Sequence, residues 1–323
     1  MLMDDTSRPE RVGFIGLGVM GTAMASRLAA GGFVLDVFDI NPVPAERLAN
    51  RFPNVRIATS PADVATDATV VITMLPSGRE VRDVTLGTRG MVEAMRPGSL
   101  FIDCSSSEPW ITRELAEPLA VRGVALVDAP VSGGAVAADA ADLVFMIGGA
   151  PDDVARARGV LRPIGEKMFH LGPLGSGHIM KSINNTITAA ILVATGEGML
   201  TGKAFGLDPA MMTKVLIEST ATSWIARTHI AQRIVSRTFD EAFQLDLMVK
   251  DIGIAAGLAA QAGLELPVWA TTEVVWRNAQ AAMPPHSTVS HVVRHMELTS
   301  GLELTAGSGP AVELAPVPQA APA

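Results

Sequence analysis

Lys181 and Asn185 stand four residues apart in GSGHIMKSINN, the segment that begins at Gly175. On a helix that spacing puts both side chains on one face, with Asn184 turned away from them. A lysine is a costly choice for the inner face of a packed helix unless an anion or a proton transfer requires it. The pair suits acid/base work on an oxygen, the amine moving the proton and the amide orienting the atom. The neighbours Ile179, Met180, Ile183 and Ile187 predict that much of this helix is buried; a solvated face is the alternative. Two further groups are expected to face the same cleft. Ser132, Gly133 and Gly134 offer a hydroxyl and consecutive backbone donors, a cradle for a carboxylate, or else a glycine turn that needs positive φ. Lys250 beside Asp251 adds attraction for an anion if it points inward, and makes a surface ion pair if it does not.

A proton acceptor needs an electron acceptor beside it. Val12 to Ile15 reads as a short apolar strand, and Gly16, Gly18 and Gly21 follow as G-x-G-x-x-G before an Ala-rich helix. In that context the glycines allow a tight turn, close approach of a dinucleotide pyrophosphate and close helix packing, with the phosphates at the helix N-terminus. A second strand, Phe33 to Phe38, ends at Asp39, the spacing expected of the acid that accepts both ribose hydroxyls. Ile40, Asn41 and Pro42 come next, so no cation stands there for a 2′-phosphate, and NAD is favoured over NADP. With no Tyr in the chain, a Tyr–Lys pair is impossible, and lysine leads as acid/base. Cys104 is the sole cysteine, which excludes an internal disulfide and a zinc site of several thiolates. His291 and His295 have ligand spacing but no acid or thiol beside them, so no metal is expected. His178 either contacts a cofactor or carboxylate or packs on the loop before the helix.

These groups need a scaffold of two parts. Strands at Thr69 to Leu75, Leu100 to Asp103, Val124 to Val127 and Leu143 to Ile147 alternate with helical segments opened by Ser60 with Pro61, by Val81, by Ser107 and Glu108 with Pro109, and by Pro151. Such alternation predicts a mostly parallel sheet with helices on both faces and ligands beyond the strand C-terminal ends. From residue 175 to 205 one helix of roughly 40 Å, at 1.5 Å per residue, is long enough to leave one domain and enter another. Helices from Pro209, from Trp224 to Ser236, from Phe243 to Ala262 and from Pro267 to Arg277 follow. The expectation is an α/β, Rossmann-type dinucleotide-binding domain over 11–174 and an all-helical substrate and oligomerisation domain over 175–300. A disordered tail over 301–323 completes the chain.

Composition narrows the partners. Aromatics are 4% and the net charge is −8, which argues against a nucleic-acid-binding face. The first ten residues lack an apolar signal region, and no apolar run reaches the ~20 residues of a membrane span. A cytoplasmic protein without membrane or nucleic-acid partners is expected, and the small-residue surface of the helical part predicts a homodimer or homotetramer.

Four separated motifs, GLGVMGTAMA from Gly16, DAPVSGGAVAADAADLVFMIGG from Asp128, GPLGSGHIMKSINN from Gly172 and FQLDLMVKDIGIA from Phe243, resemble the beta-hydroxyacid dehydrogenase family on its 3-hydroxyisobutyrate dehydrogenase side, over roughly Arg11 to Arg294. The resemblance implies that Lys181 is the catalytic acid/base, that Asn185 bonds the substrate and that Ser132, Gly133 and Gly134 hold its carboxylate. It implies Lys250 near substrate and nicotinamide, and Trp224 near the substrate pocket. Cofactor contacts are implied at Gly16, Leu17, Gly18, Val19, Met20, Gly21, Asp39, Met74, Leu75, Pro76 and Ser106. The chain departs from the family at Val136 and Ala141, where glycine is usual, and at Ala221. The implied reaction is NAD-dependent oxidation of a short 3-hydroxy acid. The alternatives are reduction of a small semialdehyde such as tartronate semialdehyde, a decarboxylating 6-phosphogluconate-type enzyme, which would need a basic cluster and a longer helical region, and a dinucleotide-binding scaffold, which would be expected to lose Lys181.

Overall fold

Strand β1 (Arg11–Ile15) is buried from its second residue onward, as a parallel strand covered on both faces must be. In the computed structural model, which describes residues 10–307, β1 leads into α1 (Val19–Ala30), β2 (Val34–Phe38), α2 (Pro42–Arg51), β3 (Val55–Ile57), α3 (Pro61–Ala65) and β4 (Val70–Thr73). Then come α4 (Gly78–Leu86), β5 (Leu100–Asp103), α5 (Pro109–Val121), β6 (Ala125–Asp128), β7 (Val131–Ser132) and α6 (Gly134–Asp139). The series closes with β8 (Val144–Gly148), α7 (Pro151–Leu161) and β9 (Lys167–Gly172).

Sheet order is β3-β2-β1-β4-β5-β6-β8-β7, with β9 on β8. The strands from β1 to β6 run parallel, whereas β8 is antiparallel to β6 and β7. This is the doubly wound α/β arrangement expected from the alternation. Its order reverses between β1 and β4, where such sheets bind ligands. Helix α2 and the two-residue β7 were not expected, and three further elements escape sequence patterning because they bury little: β3 has two exposed residues of three, α6 buries only Ala138, and β9 leaves Phe169 and Leu171 exposed.

The chain divides into compact units 1–183 and 184–323, so the division falls inside helix α8 (Ser176–Ala204) rather than before it. In the second unit α9 (Pro209–Glu218), α10 (Leu245–Gln261), α11 (Pro267–Ala282) and α12 (His291–Ser300) pack with the rest of α8 around Trp276, whose Nε1 donates to Ala189 O at 3.3 Å. Ile187 is exposed, contrary to the burial expected of it. The helix expected over Trp224 to Ser236 is a π-helix from Ala226 to Ile234, a rare geometry that the 3.6-residue pattern does not announce.

His229 of that π-helix lies 3.8 Å from Glu241 Oε1, which also accepts from the Ser290 backbone N–H at 2.6 Å. Burial alone would raise the Glu241 carboxyl, but the bonds from His229 and Ser290 outweigh it and hold the group at about 2 against an ordinary 4.5. A depressed carboxyl stabilises the fold above its unfolded value, and that contribution fades as pH falls toward the folded one. Glu241→Gln is therefore expected to lose on the order of 3 kcal/mol at neutral pH. The deficit should shrink as pH falls from about 4.5 toward about 2; urea titrations across that range check it.

The expected disordered tail needs correction in its first part. Leu304 is fully buried and its backbone N–H donates to Glu297 Oε1 at 2.8 Å, while Lys203 Nζ bonds Gly307 O at 2.8 Å. One apolar anchor and a buried carboxylate are enough to order residues 301–307. The rest of that expectation, 308–323, lies outside the described residues.

Candidate active site

The glycine turn after β1 has the features a dinucleotide requires. Gly16 N donates to Phe38 O at 2.9 Å, and a Cβ on Gly21 would overlap Gly16 O, so only glycine lets α1 start this close to the turn. A Cβ on Gly18 would meet nothing; the space beside it is open to a ligand. Gly18 heads α1 with no side-chain cap and no acid in the first turn, which leaves first-turn amides at Val19 and Met20 to an anion. Asp39 Oδ2 accepts from Leu17 N at 2.6 Å and Oδ1 from Asn41 N at 2.8 Å, so the carboxylate is held against the turn with lone pairs to spare. These residues fit a nicotinamide dinucleotide.

The neighbouring loops join the same end of the sheet. Met74 N donates to Ile15 O at 2.9 Å and Leu75 N to Ser105 Oγ at 2.9 Å. Asp103, which closes β5, accepts from Thr73 Oγ1 at 2.8 Å, Ser105 N at 3.0 Å and Ser107 Oγ at 2.6 Å. Ser107 was expected to open α5, but its hydroxyl is turned to Asp103, and Glu108 heads the helix without a side-chain cap. The loops carrying Met74, Leu75 and Pro76 and carrying Ser106 are thus tied together by one buried carboxylate.

Ser132 ends β7, and Gly133 (φ 130°) and Gly134 (φ 69°) turn the chain into α6 through conformations that L side chains rarely adopt. Ala141, where the resemblance implies that glycine is usual, is held at φ 56°. Ala141→Gly removes that strain, about 1–2 kcal/mol, against about 0.4–1 kcal/mol of added unfolded-state entropy. The expected result is a melting temperature unchanged or raised by a few degrees, read by differential scanning calorimetry.

Lys181 lies in the first turns of α8, half-buried, and Asn185 follows one turn on along the same helix. In the second unit Asn185 is buried, and its Nδ2 donates to Asp251 Oδ2 at 2.5 Å. Lys250 Nζ lies 3.0 Å from Asp251 Oδ1, with the lysine mostly covered and the carboxylate 1% exposed. The Lys250–Asp251 pair is therefore a buried one, not the surface pair that was the alternative. Asn184, expected to turn away, instead donates from Nδ2 to Asn185 Oδ1 at 3.1 Å. Asp251, which sequence reasoning took only as an ion-pair neighbour of Lys250, is the residue that joins Asn185 and Lys250. The available signal was an acid inside DIGIAAGLAAQ, because a carboxylate among small apolar residues must find partners. Trp224 is 60% exposed, its ring edge-on to His229 with centroids 5.2 Å apart.

Among the described residues no group of three His, Cys, Asp or Glu could hold a metal ion, and no helix is long and apolar enough to cross a membrane.

Residues 11–172 match the family described as the NAD binding domain of 6-phosphogluconate dehydrogenase. Residues 175–296 match that described as NAD-binding of NADP-dependent 3-hydroxyisobutyrate dehydrogenase. A 3-hydroxyisobutyrate dehydrogenase of Pseudomonas aeruginosa is 35% identical over 265 residues, 80% of this chain and 88% of that protein. An NAD-dependent L-serine dehydrogenase of the same organism is 32% identical over 265 residues, with the same coverage of 80% and 88%. The structure of a Mycobacterium tuberculosis 3-hydroxyisobutyrate dehydrogenase with L-serine superposes with a TM-score of 0.80 at 31% identity, covering 90% of this chain and 99% of that one.

Proposed function

The chain belongs to the beta-hydroxyacid dehydrogenase family, and from that premise we propose that it oxidises a short 3-hydroxy acid such as 3-hydroxyisobutyrate to its semialdehyde, with NAD as acceptor and Lys181 as acid/base. It is a nicotinamide-dependent enzyme acting on the CH–OH group of a hydroxyacid. The observation that carries the finer reading is Asn185, one turn from Lys181, with its amide locked by buried Asp251 at 2.5 Å.

The bound nicotinamide supplies a hydride acceptor at C4. The turn from Gly16 to Gly21, Asp39, the Met74 to Pro76 loop and Ser106 hold the cofactor. Lys181 removes the hydroxyl proton in oxidation and returns it in reduction. Asp251 occupies one N–H of Asn185, and the second N–H orients the reacting oxygen. The Ser132 hydroxyl and the Gly133 and Gly134 amides take the carboxylate, which fixes the reacting carbon. Lys250 adds positive charge at the substrate, and Trp224 borders it.

L-serine, also a 3-hydroxy acid, is the second reading, favoured by the serine dehydrogenase relative and the serine-bearing neighbour. Reduction of tartronate semialdehyde or a related semialdehyde would use the same groups in reverse. A panel of 3-hydroxyisobutyrate, L-serine, glycerate, threonate, 3-hydroxypropionate, 4-hydroxybutyrate and a sulfonated analogue, each with NAD and NADP, tests the choice. The expected result is the highest kcat/KM for 3-hydroxyisobutyrate with NAD; a higher value for L-serine would replace the first reading by the second.

A cytoplasmic homodimer or homotetramer belongs to this reading. Met211 and Val215 of α9 and Val268 and Val274 of α11 are exposed, apolar surface that a second copy would cover. Size-exclusion chromatography with light scattering reads the state directly.

A further inference from the structure

Helix α8 is held at its start by a residue far away in the chain. Asp128, fully buried at the end of β6, accepts from Gly175 N at 2.7 Å through Oδ1 and from His178 N at 2.9 Å through Oδ2. One carboxylate thus takes two amides at the mouth of the helix and supplies the negative charge that its dipole favours there. The contact is close because residue 177 is glycine: a Cβ would overlap Met146 O and press on Asp128 Oδ2.

The imidazole of His178 lies between two carboxylates, its Nδ1 being 3.9 Å from Asp128 Oδ2. Its side chain is fully buried, and Nδ1 lies 2.7 Å from Thr112 Oγ1 on α5. Nε2 has no hydrogen-bond partner and faces Asp103 Oδ2 at 3.6 Å. The Thr112 hydroxyl has two acceptors in reach, Glu108 O at 3.3 Å and Nδ1 at 2.7 Å. The shorter contact takes its hydrogen, and the nearer carboxylate lies on the Nε2 side, so the ring hydrogen sits on Nε2 and points at an acceptor just beyond bonding distance. A buried N–H left open beside a carboxylate is unfavourable, and a small shift satisfies it. Asp103 also holds Thr73, Ser105 and Ser107, and Ser105 holds Leu75. His178 therefore stands between the loops read as cofactor contacts and the helical turn that carries Lys181, three residues on. All of these groups lie in the unit 1–183.

We infer that His178 is a positioning residue: binding of the cofactor at the Leu75 and Ser105 loops draws Asp103 Oδ2 into hydrogen-bond distance of His178 Nε2. That bond sets the first turn of α8 so that Lys181 is correctly placed. The inference rests on the reading of Lys181 as acid/base. It assigns His178 no contact with substrate or proton.

The test compares His178→Leu, close in volume but without a donor, with His178→Gln, whose amide can donate in the same direction. For each variant the readouts are NADH affinity by fluorescence titration, kcat, the deuterium isotope effect with substrate labelled at the reacting carbon, and the melting temperature. A misplacement of 1 Å costs on the order of 100-fold in rate, so a partial loss of placement predicts about 10-fold lower kcat for His178→Leu. Weaker NADH binding and a larger isotope effect should accompany it, with His178→Gln recovering most of all three. A melting temperature that falls while kcat, isotope effect and NADH affinity stay unchanged would overturn the inference, as would equal loss in both variants. If His178→Leu does not fold, Thr112→Val, which removes the partner of Nδ1 together with a 3.3 Å hydroxyl bond to Glu108 O in α5, is read on the same quantities with the same signs, and no change in them overturns the inference. Lys181→Ala run alongside separates the two claims. Full activity in that variant sinks the acid/base reading, whereas a dead Lys181→Ala beside an unaffected His178→Leu sinks only the positioning role.

Discussion

Lys181→Ala is expected to lower kcat by ~100-fold or more, the range for loss of a placed general acid/base, while NADH affinity changes by less than about 3-fold. The two halves of this expectation come from different parts of the chain. In the proposed reading affinity is set by the turn after β1 and by Asp39, whose bonds to Leu17 N and Asn41 N do not involve α8. In the same reading proton transfer is set on α8, where Lys181 precedes by one turn an asparagine already committed to Asp251. Lys181→Arg keeps the charge but has no accessible unprotonated form, so it should be nearly as slow as alanine. If arginine restored turnover, the side chain would be acting as a fixed charge and not as a base.

The second large effect is on cofactor choice. Asp39→Asn combined with Ile40→Arg removes the acid proposed to take the ribose hydroxyls and puts a cation beside it. Hydrogen bonds to a charged group are worth about 1.5–3 kcal/mol, so KM for NAD should rise about 10- to 100-fold, while KM for NADP falls. Ile40 is 94% exposed, which gives the arginine room without repacking. Asparagine retains one acceptor for Leu17 N or Asn41 N, so the turn should keep its shape. Steady-state rates with both cofactors read the ratio; an unchanged ratio would show that Asp39 only holds the turn.

What the sequence disclosed follows from how local each determinant is. The glycine turn, the Pro61 and Pro151 helix starts and the spacing of Lys181 from Asn185 depend on a few adjacent residues, and each took the expected backbone form. Roles that depend on distant pairing stayed hidden. Asp251 meets Asn185 across 66 positions, and Asp128 meets Gly175 and His178 across 47 and 50. Read locally, each of these acids looked like a helix or strand-end charge. Their burial is the decisive fact, and only the packed structure supplies it. Residues 301–307 teach the same lesson in reverse, because a composition poor in anchors concealed Leu304 and the acceptor Glu297. The exposed edge β9 and the π-helix escaped because neither follows a buried periodicity.

The role of Lys181 is tested most directly by single-turnover hydride transfer in Lys181→Ala preloaded with NAD and then mixed rapidly with saturating substrate, followed by the appearance of reduced nicotinamide. Cofactor binding is then complete before the reaction starts and saturating substrate removes the dependence on its association, so the rate reports the proton and hydride step. The expected result is a rate lower than that of the unmodified enzyme by ~100-fold or more, with full cofactor occupancy. A preloaded variant that reduces its nicotinamide as fast as the unmodified enzyme would contradict the assignment of the proton to Lys181.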